Sequence, residues 1–427
     1  MRRAVFLVIA LLSTFSSFAA VERDFVSIFD GKTLDGWKLM NRNGLGYGVK
    51  DGMIFCEHGG GGNLFTETEY ENFVLRFEFR LEPDSNNGIG IRAPFEGDAA
   101  YMGMEIQIID DNEKKYGPLQ PWQHHGAIYN IVSPKVGFQK PVGEWNQEEI
   151  TANRRHIKVV LNGHTITDAN LNNVTNAETI AHHPGMLSPR GHIGFLGHDD
   201  YVEFRNLRVK ELPSKEKDNT PPPGFKALFN GKNLNGWKGF VGSPAQRAKM
   251  SAEDLAGAQK KADESMKQHW RIENGVIAFD GKGKNLCTSR DYGDYELWVD
   301  WKITKDGDSG VYLRGCPQVQ IWDPASKKGK RDHSVGSGGL HNNTKNSNVP
   351  LTRADKPIGE WNHFQILFVG DKATIYLNDK LVVNNGTFEN SMEPGKPLYP
   401  FGTIELQNHS SPLWFKNIYI RELPRQK

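Results

Sequence analysis

Phe73-Val74-Leu75-Arg76-Phe77-Glu78-Phe79-Arg80-Leu81 alternates without a break. Phe73, Leu75, Phe77, Phe79 and Leu81 point one way, while Arg76, Glu78 and Arg80 point the other. Successive side chains leave a pleated backbone on opposite faces, so this period predicts a half-buried antiparallel strand. Tyr295 to Ile303 repeats the pattern 222 positions later (295 − 73), with Tyr295, Leu297, Val299, Trp301 and Ile303 inward. Outward from this pair, the chain is written twice. Phe25-Val26-Ser27-Ile28-Phe29-Asp30-Gly31-Lys32-Thr33-Leu34-Asp35-Gly36-Trp37-Lys38 returns as Phe225 to Lys238, 200 positions on (237 − 37). A period that long is a duplicated domain, since solenoid units are shorter. Asp30-Gly31-Lys32 and Asn230-Gly231-Lys232 predict tight turns, because glycine accepts the positive φ such turns need.

The matched segments continue in order. Tyr47 to Ile54 reads as a short strand around Asp51-Gly52, twinned by Trp270 to Ile277 around Asn274-Gly275. Asn87-Gly88-Ile89-Gly90-Ile91-Arg92 is twinned by Ser309-Gly310-Val311-Tyr312-Leu313-Arg314. Met104-Glu105-Ile106-Gln107-Ile108-Ile109-Asp110 is twinned by Pro317-Gln318-Val319-Gln320-Ile321-Trp322-Asp323. Pro141-Val142-Gly143-Glu144-Trp145-Asn146 returns as Pro357-Ile358-Gly359-Glu360-Trp361-Asn362. Asn162-Gly163 is a strong hairpin signal, and its twin is Asn378-Asp379. Each copy closes with a strand, then His198 or His409, and a last strand holding Phe204-Arg205-Asn206-Leu207 or Phe415-Lys416-Asn417-Ile418. Short, regularly spaced, alternating strands predict an all-β protein of two tandem sandwiches.

The chain opens with Met1-Arg2-Arg3, an apolar run from Ala4 to Leu12, and Ser17-Phe18-Ala19 before Ala20. That is the pattern of a signal peptide over residues 1–19, which predicts a periplasmic or secreted protein. Its apolar run is too short to span a bilayer, and no other run approaches that length. The remaining 408 residues (427 − 19) suffice for two domains, here expected at 20–213 and 225–427 with a linker at 214–224. The second copy carries an insertion near 243–267, where Ser251 can cap a helix whose Leu255, Ala258, Ala262 and Met266 share a face. Such a helix either packs on the second sandwich or serves as a lid or strut. A net charge of +1 gives no sign of a nucleic-acid surface. Cys56, Cys287 and Cys316 form neither a disulfide framework nor a zinc pattern, although a Cys287–Cys316 bond is conceivable.

Glu105 and Gln107 lie two apart on a strand, hence side by side on the face opposite Met104, Ile106 and Ile108. A β-bulge before Asp110 would bring that acid beside them, and Arg92 would join from a neighbouring strand. Acid, amide, second acid and guanidinium on one sheet face make a candidate sugar site. The twin set keeps Arg314, Gln320 and Asp323 but has Gln318 in place of Glu105, and an amide cannot act as acid or base. His198 and His409 stand in register at strand ends, where an imidazole can serve as general base.

These repeated motifs, from Phe-x-x-Leu/Ile-Phe-Asp/Asn-Gly-Lys to Phe-Arg/Lys-Asn-Ile/Leu, resemble the 3-keto-disaccharide hydrolase domain family over nearly the whole chain after Ala19. The resemblance implies two concanavalin-like jelly rolls, similar to laminarinase-type glycoside hydrolases, to which the residues add the helical insertion in the second. Glu105-x-Gln107-x-x-Asp110 departs from the Glu-x-Asp-x-x-Glu of those enzymes, which speaks against an endoglucanase needing two carboxylates about 5 Å apart. The implied activity is cleavage of glycosides oxidised at C3, by hydrolysis or by β-elimination followed by hydration. The implied roles are Glu105 or His198 as base, Arg92 as donor to the enolate, and a divalent cation on Asp110 as an alternative to Arg92. Gln107, Arg314, Gln320, Asp323 and His409 would contact sugar. A rival reading is a tandem carbohydrate-binding protein without turnover.

Overall fold

A computed structural model describes residues 24–214, 217–328 and 332–424. The expected signal peptide lies outside the described residues. In the first half the strands are β1 (Val26–Ser27), β2 (Trp37–Met40), β3 (Tyr47–Lys50), β4 (Met53–Cys56), β5 (Gly62–Tyr70), β6 (Phe73–Leu81) and β7 (Asn86–Ala93). Helix α1 (Ala99–Met102) precedes β8 (Met104–Ile109), β9 (Asn146–Asn153), β10 (His156–Leu161) and β11 (His164–Asn170). Helix α2 (Ala177–His182), β12 (Gly191–Gly197) and β13 (Val202–Glu211) complete that half. The second half runs β14 (Lys226–Ala227), β15 (Trp237–Gly239), α3 (Pro244–Arg247), α4 (Ala252–His269), β16 (Trp270–Glu273), β17 (Val276–Phe279) and β18 (Leu286–Thr288). It continues with β19 (Tyr295–Ile303), β20 (Asp308–Tyr312), β21 (Gln318–Trp322), β22 (Asn362–Val369), β23 (Lys372–Leu377), β24 (Lys380–Thr387), β25 (Glu405–Leu406) and β26 (Leu413–Glu422).

Each half is a jelly-roll sandwich of two antiparallel sheets. In the first, the large sheet is ordered β11-β10-β9-β6-β13-β4-β3, with β1 on β13, and the small sheet β2-β5-β12-β7-β8. Adding thirteen to each label gives the two sheets of the second half, so the duplication extends to topology. β6 and β19 occupy the ranges their alternation predicts. Their inward rows are 0–4 % exposed, and each such side chain contributes about 1.5–3 kcal/mol by leaving water. Trp37 and Trp237 are buried anchors whose indoles donate to the carbonyls of Ile28 and Leu228 at 2.8 and 2.7 Å. The stretch around Asp51-Gly52 is a hairpin, β3–β4, and not one strand. Asp51 and Gly52 both hold positive φ (50° and 77°), as a tight primed turn requires. The β16–β17 hairpin repeats this at Asn274-Gly275.

The insertion folds as two helices, α3 and α4. Ser251 caps α4 by accepting from the Asp254 amide, and the helix face of Leu255, Ala258, Ala262 and Met266 is half-buried, with Met266 packed against the core of the second sandwich. Gly239 donates to Asp263 at 2.8 Å and accepts from Gln259 at 2.9 Å, so α4 covers the edge strand β15 and shields its unpaired backbone. All three cysteines are buried and free, so the Cys287–Cys316 bond is not formed. The Cys316 thiol instead donates to Asn390 at 3.1 Å.

The sandwiches are joined through a buried charge cluster. On β19, alternation should turn Glu296 to solvent, yet it is fully buried. Arg155 of the first sandwich reaches it at 2.7 Å and Arg421 at 2.8 Å, with the Trp298 indole donating at 2.8 Å. Gln365 and Tyr376 donate across the same interface to the carbonyls of Leu187 and Pro184. Burial alone would raise the Glu296 carboxyl, but the two guanidiniums outweigh it and hold the pKa below the usual range. A carboxylate with a lowered folded pKa stabilises above its unfolded value and loses that stabilisation as pH falls through the folded one. Glu296→Ala, which strands two buried guanidiniums, is expected to cost about 3–5 kcal/mol at pH 7 in urea unfolding. The gap from the parent should narrow as pH drops below about 4.3. An unchanged midpoint at pH 7 would show that the cluster does not hold the halves together.

Candidate active site

Glu105 and Gln107 project from β8 onto the outer face of the small sheet, as expected, and both are buried. Their neighbour in register is Gly88 of β7, opposite Gln107. A Cβ at Gly88 would collide with the Glu105 carboxylate, so the glycine makes the room that this acid occupies. Its twin Gly310 does the same for Gln318. The hydrogen-bonding pattern orients Gln107 so that its amide nitrogen donates to Glu105 Oε1 and to the Asn87 carbonyl, each at 3.2 Å.

His198, directly after β12, completes the pair. Its Nε2 is 3.6 Å from Glu105 Oε1, and its side chain is 44 % exposed against 4 % for the carboxylate. The imidazole is thus the member that meets solvent. Burial lowers its pKa, but the Glu105 carboxylate beside it more than compensates, and the net direction is upward. Both face a cleft of about 580 Å³, whose wall includes Asp98, Tyr101 and Tyr129. Burial raises the Tyr129 phenol pKa, so it stays a neutral hydrogen-bond donor at physiological pH. Tyr101, Tyr129 and Gly88 were not singled out from sequence. The signal for Gly88 was there: the same glycine precedes Arg by four positions in both copies.

Two expected members are elsewhere. Arg92 sits at a bulge, where three steps along β7 match two along β12, and its φ is +51°. The bulge swings the guanidinium away from Glu105 and buries it. There it donates to the carbonyls of Glu71 (2.9 Å) and Arg154 (2.6 Å) and to Asn72 (3.3 Å). Burial draws its pKa down to about 10. Arg314 repeats the conformation (φ +50°), with Asp294 at 3.5 Å and the Phe368 ring at 3.9 Å. β8 pairs with β7 without a register shift, so no bulge rotates Asp110 toward Glu105. Asp110 instead accepts from the backbone amides of Asp84 (3.2 Å) and Asn112 (3.0 Å). Asp323 does likewise for Asp306 and Ala325, both at 2.8 Å. The Asp110 contacts fasten the turn at the end of β8, and no cluster of three potential ligands lies among the described residues. His125, 2.8 Å from Glu148 and stacked on Phe79, belongs to the core.

The second sandwich has a different outer face. The cross-strand row Lys38–Phe65–Gly194–Gly90–Glu105 becomes Lys238–Cys287–Glu405–Tyr312–Gln318. Gln318 donates to Gln320 and Gln407, each at 2.9 Å, and Gln320 donates to Asp308 at 2.7 Å. Glu405, pushed up by burial, accepts from Asn285 and Thr403 at 3.0 Å. The Pro244 ring of α3 and the Glu405 carboxylate both lie against Gly315. His409 pairs with Asp308 at 3.1 Å and remains exposed. Acid and imidazole therefore meet over a cleft in the first copy, while the second copy fills its face with a closed polar network.

The chain matches the 3-keto-alpha-glucoside-1,2-lyase-like domain over residues 24–210 and again over 224–421, and it belongs to that family. A 3-keto-disaccharide hydrolase of Bacteroides thetaiotaomicron is 23% identical over 273 residues, covering 50% of this chain and 85% of its own. A solved structure of a candidate glycosyl hydrolase from Parabacteroides distasonis is 28% identical, with TM-score 0.38, over 44% of this chain and 99% of that one. A second from the same organism is 24% identical, with TM-score 0.38, over 44% and 94%. Family and relative place this chain among carbohydrate-active hydrolases.

The role of Gly88 can be read from His198 alone. Gly88→Ala should displace the Glu105 carboxylate, and an NMR titration should then show the His198 pKa fall toward 6.5. Glu105→Gln should produce the same fall. A His198 pKa unmoved by either change would mean that the two groups do not interact.

Proposed function

We propose that the first sandwich cleaves glycosides carrying a ketone at C3, with Glu105 as base and His198 as acid. The observation that carries this is the Glu105–His198 pair, 3.6 Å apart at a cleft. A C3 ketone acidifies the C2 proton. Glu105 takes that proton, and the C–H electrons form a C2=C3 enediolate. The enediolate collapses back to the ketone, forms C1=C2 and expels the C1 oxygen, which takes a proton from the His198 imidazolium. Water then adds across C1=C2 to give the free keto sugar. A base and an acid this close fit removal of groups from adjacent carbons on one face. Tyr129, neutral and on the cleft wall, supplies a donor for the developing oxyanion. Gln107 keeps Glu105 in place by its amide contact. A retaining glycosidase would need a second carboxylate about 5 Å away, and the same-face neighbour of Glu105 on β8 is the amide Gln107.

The reading extends to location: the basic, apolar and small-residue segment at 1–19 supports export, and a mature protein beginning at Ala20 is the expected product. Mass spectrometry of the periplasmic or culture fraction tests it, and an intact Met1 there would count against it.

Glu105→Gln keeps shape and removes the base, so kcat on a 3-keto-glucoside should fall about 10²–10⁴-fold with little change in melting temperature. Gln318→Glu should have far less effect, because that amide is already inside a closed network. The raised His198 pKa keeps its acid form present above pH 6.5, and kcat should decline only at higher pH, as the pH rises through the shifted pKa. His198→Ala should remove this limb of the profile. Binding without product release by the parent protein would favour the carbohydrate-binding reading instead.

A further inference from the structure

The two copies differ where β7 joins β8. Arg92 and Glu105 are 13 positions apart, whereas their twins Arg314 and Gln318 are 4 apart, nine fewer (13 − 4). In the first copy the extra residues form α1, which packs on the turn Pro184–Leu187. The Tyr101 ring there lies 4.8 Å from His183, and Gly185 is so close to Gly103 that a Cβ would collide. The second copy has no counterpart of α1 in its short β20–β21 connection. A cleft of about 1700 Å³ is lined by segments 341–349 and 388–400 together with Arg314 and Trp322.

Its walls are built in advance of any ligand. Glu389 of the second segment accepts from the amides of Thr344, Lys345 and Asn346 of the first at 2.7–3.0 Å, which fastens the two segments to each other. Asn390 holds the second in shape by accepting from Met392 and Glu393 and donating to Pro397 at 2.8–3.1 Å. The lining includes Arg314, Lys345 and Lys396 and also Asp332, Asp371 and Glu389, so its formal charges balance. Between them stand amide and hydroxyl groups (Asn342, Asn348, Ser391) and apolar surface (Trp322, Phe388, Pro397). Balanced charge, many amides and a few flat apolar surfaces suit a neutral, hydroxyl-rich molecule. The volume exceeds the roughly 300–1,000 Å³ of small-ligand sites, a range that the Glu105 cleft falls within. The ligand it suits is therefore longer than a disaccharide.

We propose that this cleft of the second sandwich binds a neutral oligosaccharide several sugars long, as an anchoring site separate from the Glu105–His198 cleft. The ligand class rests on the carbohydrate reading of the family, whereas the site rests on the cleft's volume, its lining and its hydrogen-bonded walls. The test uses the full chain carrying Glu105→Gln, titrated calorimetrically with maltohexaose, cellohexaose and laminarihexaose. At least one should bind at a single site. Two further variants should each weaken that binding by about 10-fold or more while keeping the melting temperature: the His341→Ala/Asn342→Ala double change, and Ser391→Trp, which fills the cleft. In the otherwise unaltered chain, neither should change kcat/KM on a 3-keto-disaccharide. No binding of any hexasaccharide, or binding that survives both variants, overturns the proposal. If the parent fails to turn over any keto substrate while hexasaccharide binding still depends on Asn342, the anchoring site stands and the catalytic reading of the first cleft falls.

Discussion

Burial of one face of β6 and of β19 is the constraint on which the rest of each sandwich depends. Once Phe73, Phe77 and Phe79 point inward, a second sheet must cover them, and its inner row becomes Ile89, Ile106 and Ile108. Alternation then leaves the opposite row of that small sheet, Glu105 and Gln107, outside the core. A polar side chain there escapes the cost of burial in the apolar core and stays available to a ligand. The site is in this sense a by-product of the period-two core. Glycine at 88 decides that the acid lies flat on the sheet, because any side chain at that position would occupy its place.

The second copy is an internal control on that logic. The same strands pair in the same order, so the core tolerates what happened on the outer face. Gly90 and Gly194 became Tyr312 and Glu405, and Glu105 became Gln318. The changes support one another: Gln318 finds Gln320 and Gln407, and Glu405 finds Asn285 and Thr403. Each buried polar atom that gains a partner avoids a desolvation cost of about 1–3 kcal/mol. Such a face has a satisfied network in place of an open acid, and no helix like α1 stands in its β20–β21 connection.

Several of the motifs repeated in both copies are architectural. Trp145 lies under the guanidiniums of Arg80 and Arg205 on the large sheet, and Trp361 under Lys302 and Lys416. Asn146 and Asn362 accept from Asn162 and Asn378, fastening each hairpin turn. Arg92 and Arg314 hold loops by donating to carbonyls, each from a positive-φ position that sequence alternation cannot reveal. A residue repeated in both copies is therefore as readily a fastening of the sandwich as a group that meets substrate.

The sequence by itself determined the duplication, the all-β class, the ranges of β6 and β19, the capped helix of the insertion and the side-by-side placement of Glu105 and Gln107. These are local properties: period, turn chemistry and capping act over a few residues and do not need the rest of the chain. Tertiary structure decided what depends on a distant partner. It brought His198 to Glu105 across 93 positions (198 − 105), and it turned Arg92 away through a bulge set by pairing with β12. It also buried Glu296, a residue that alternation assigns to solvent, because the other sandwich supplies Arg155 there. A strand's own pattern tells which face a side chain takes, but only the packed neighbours tell what that face meets.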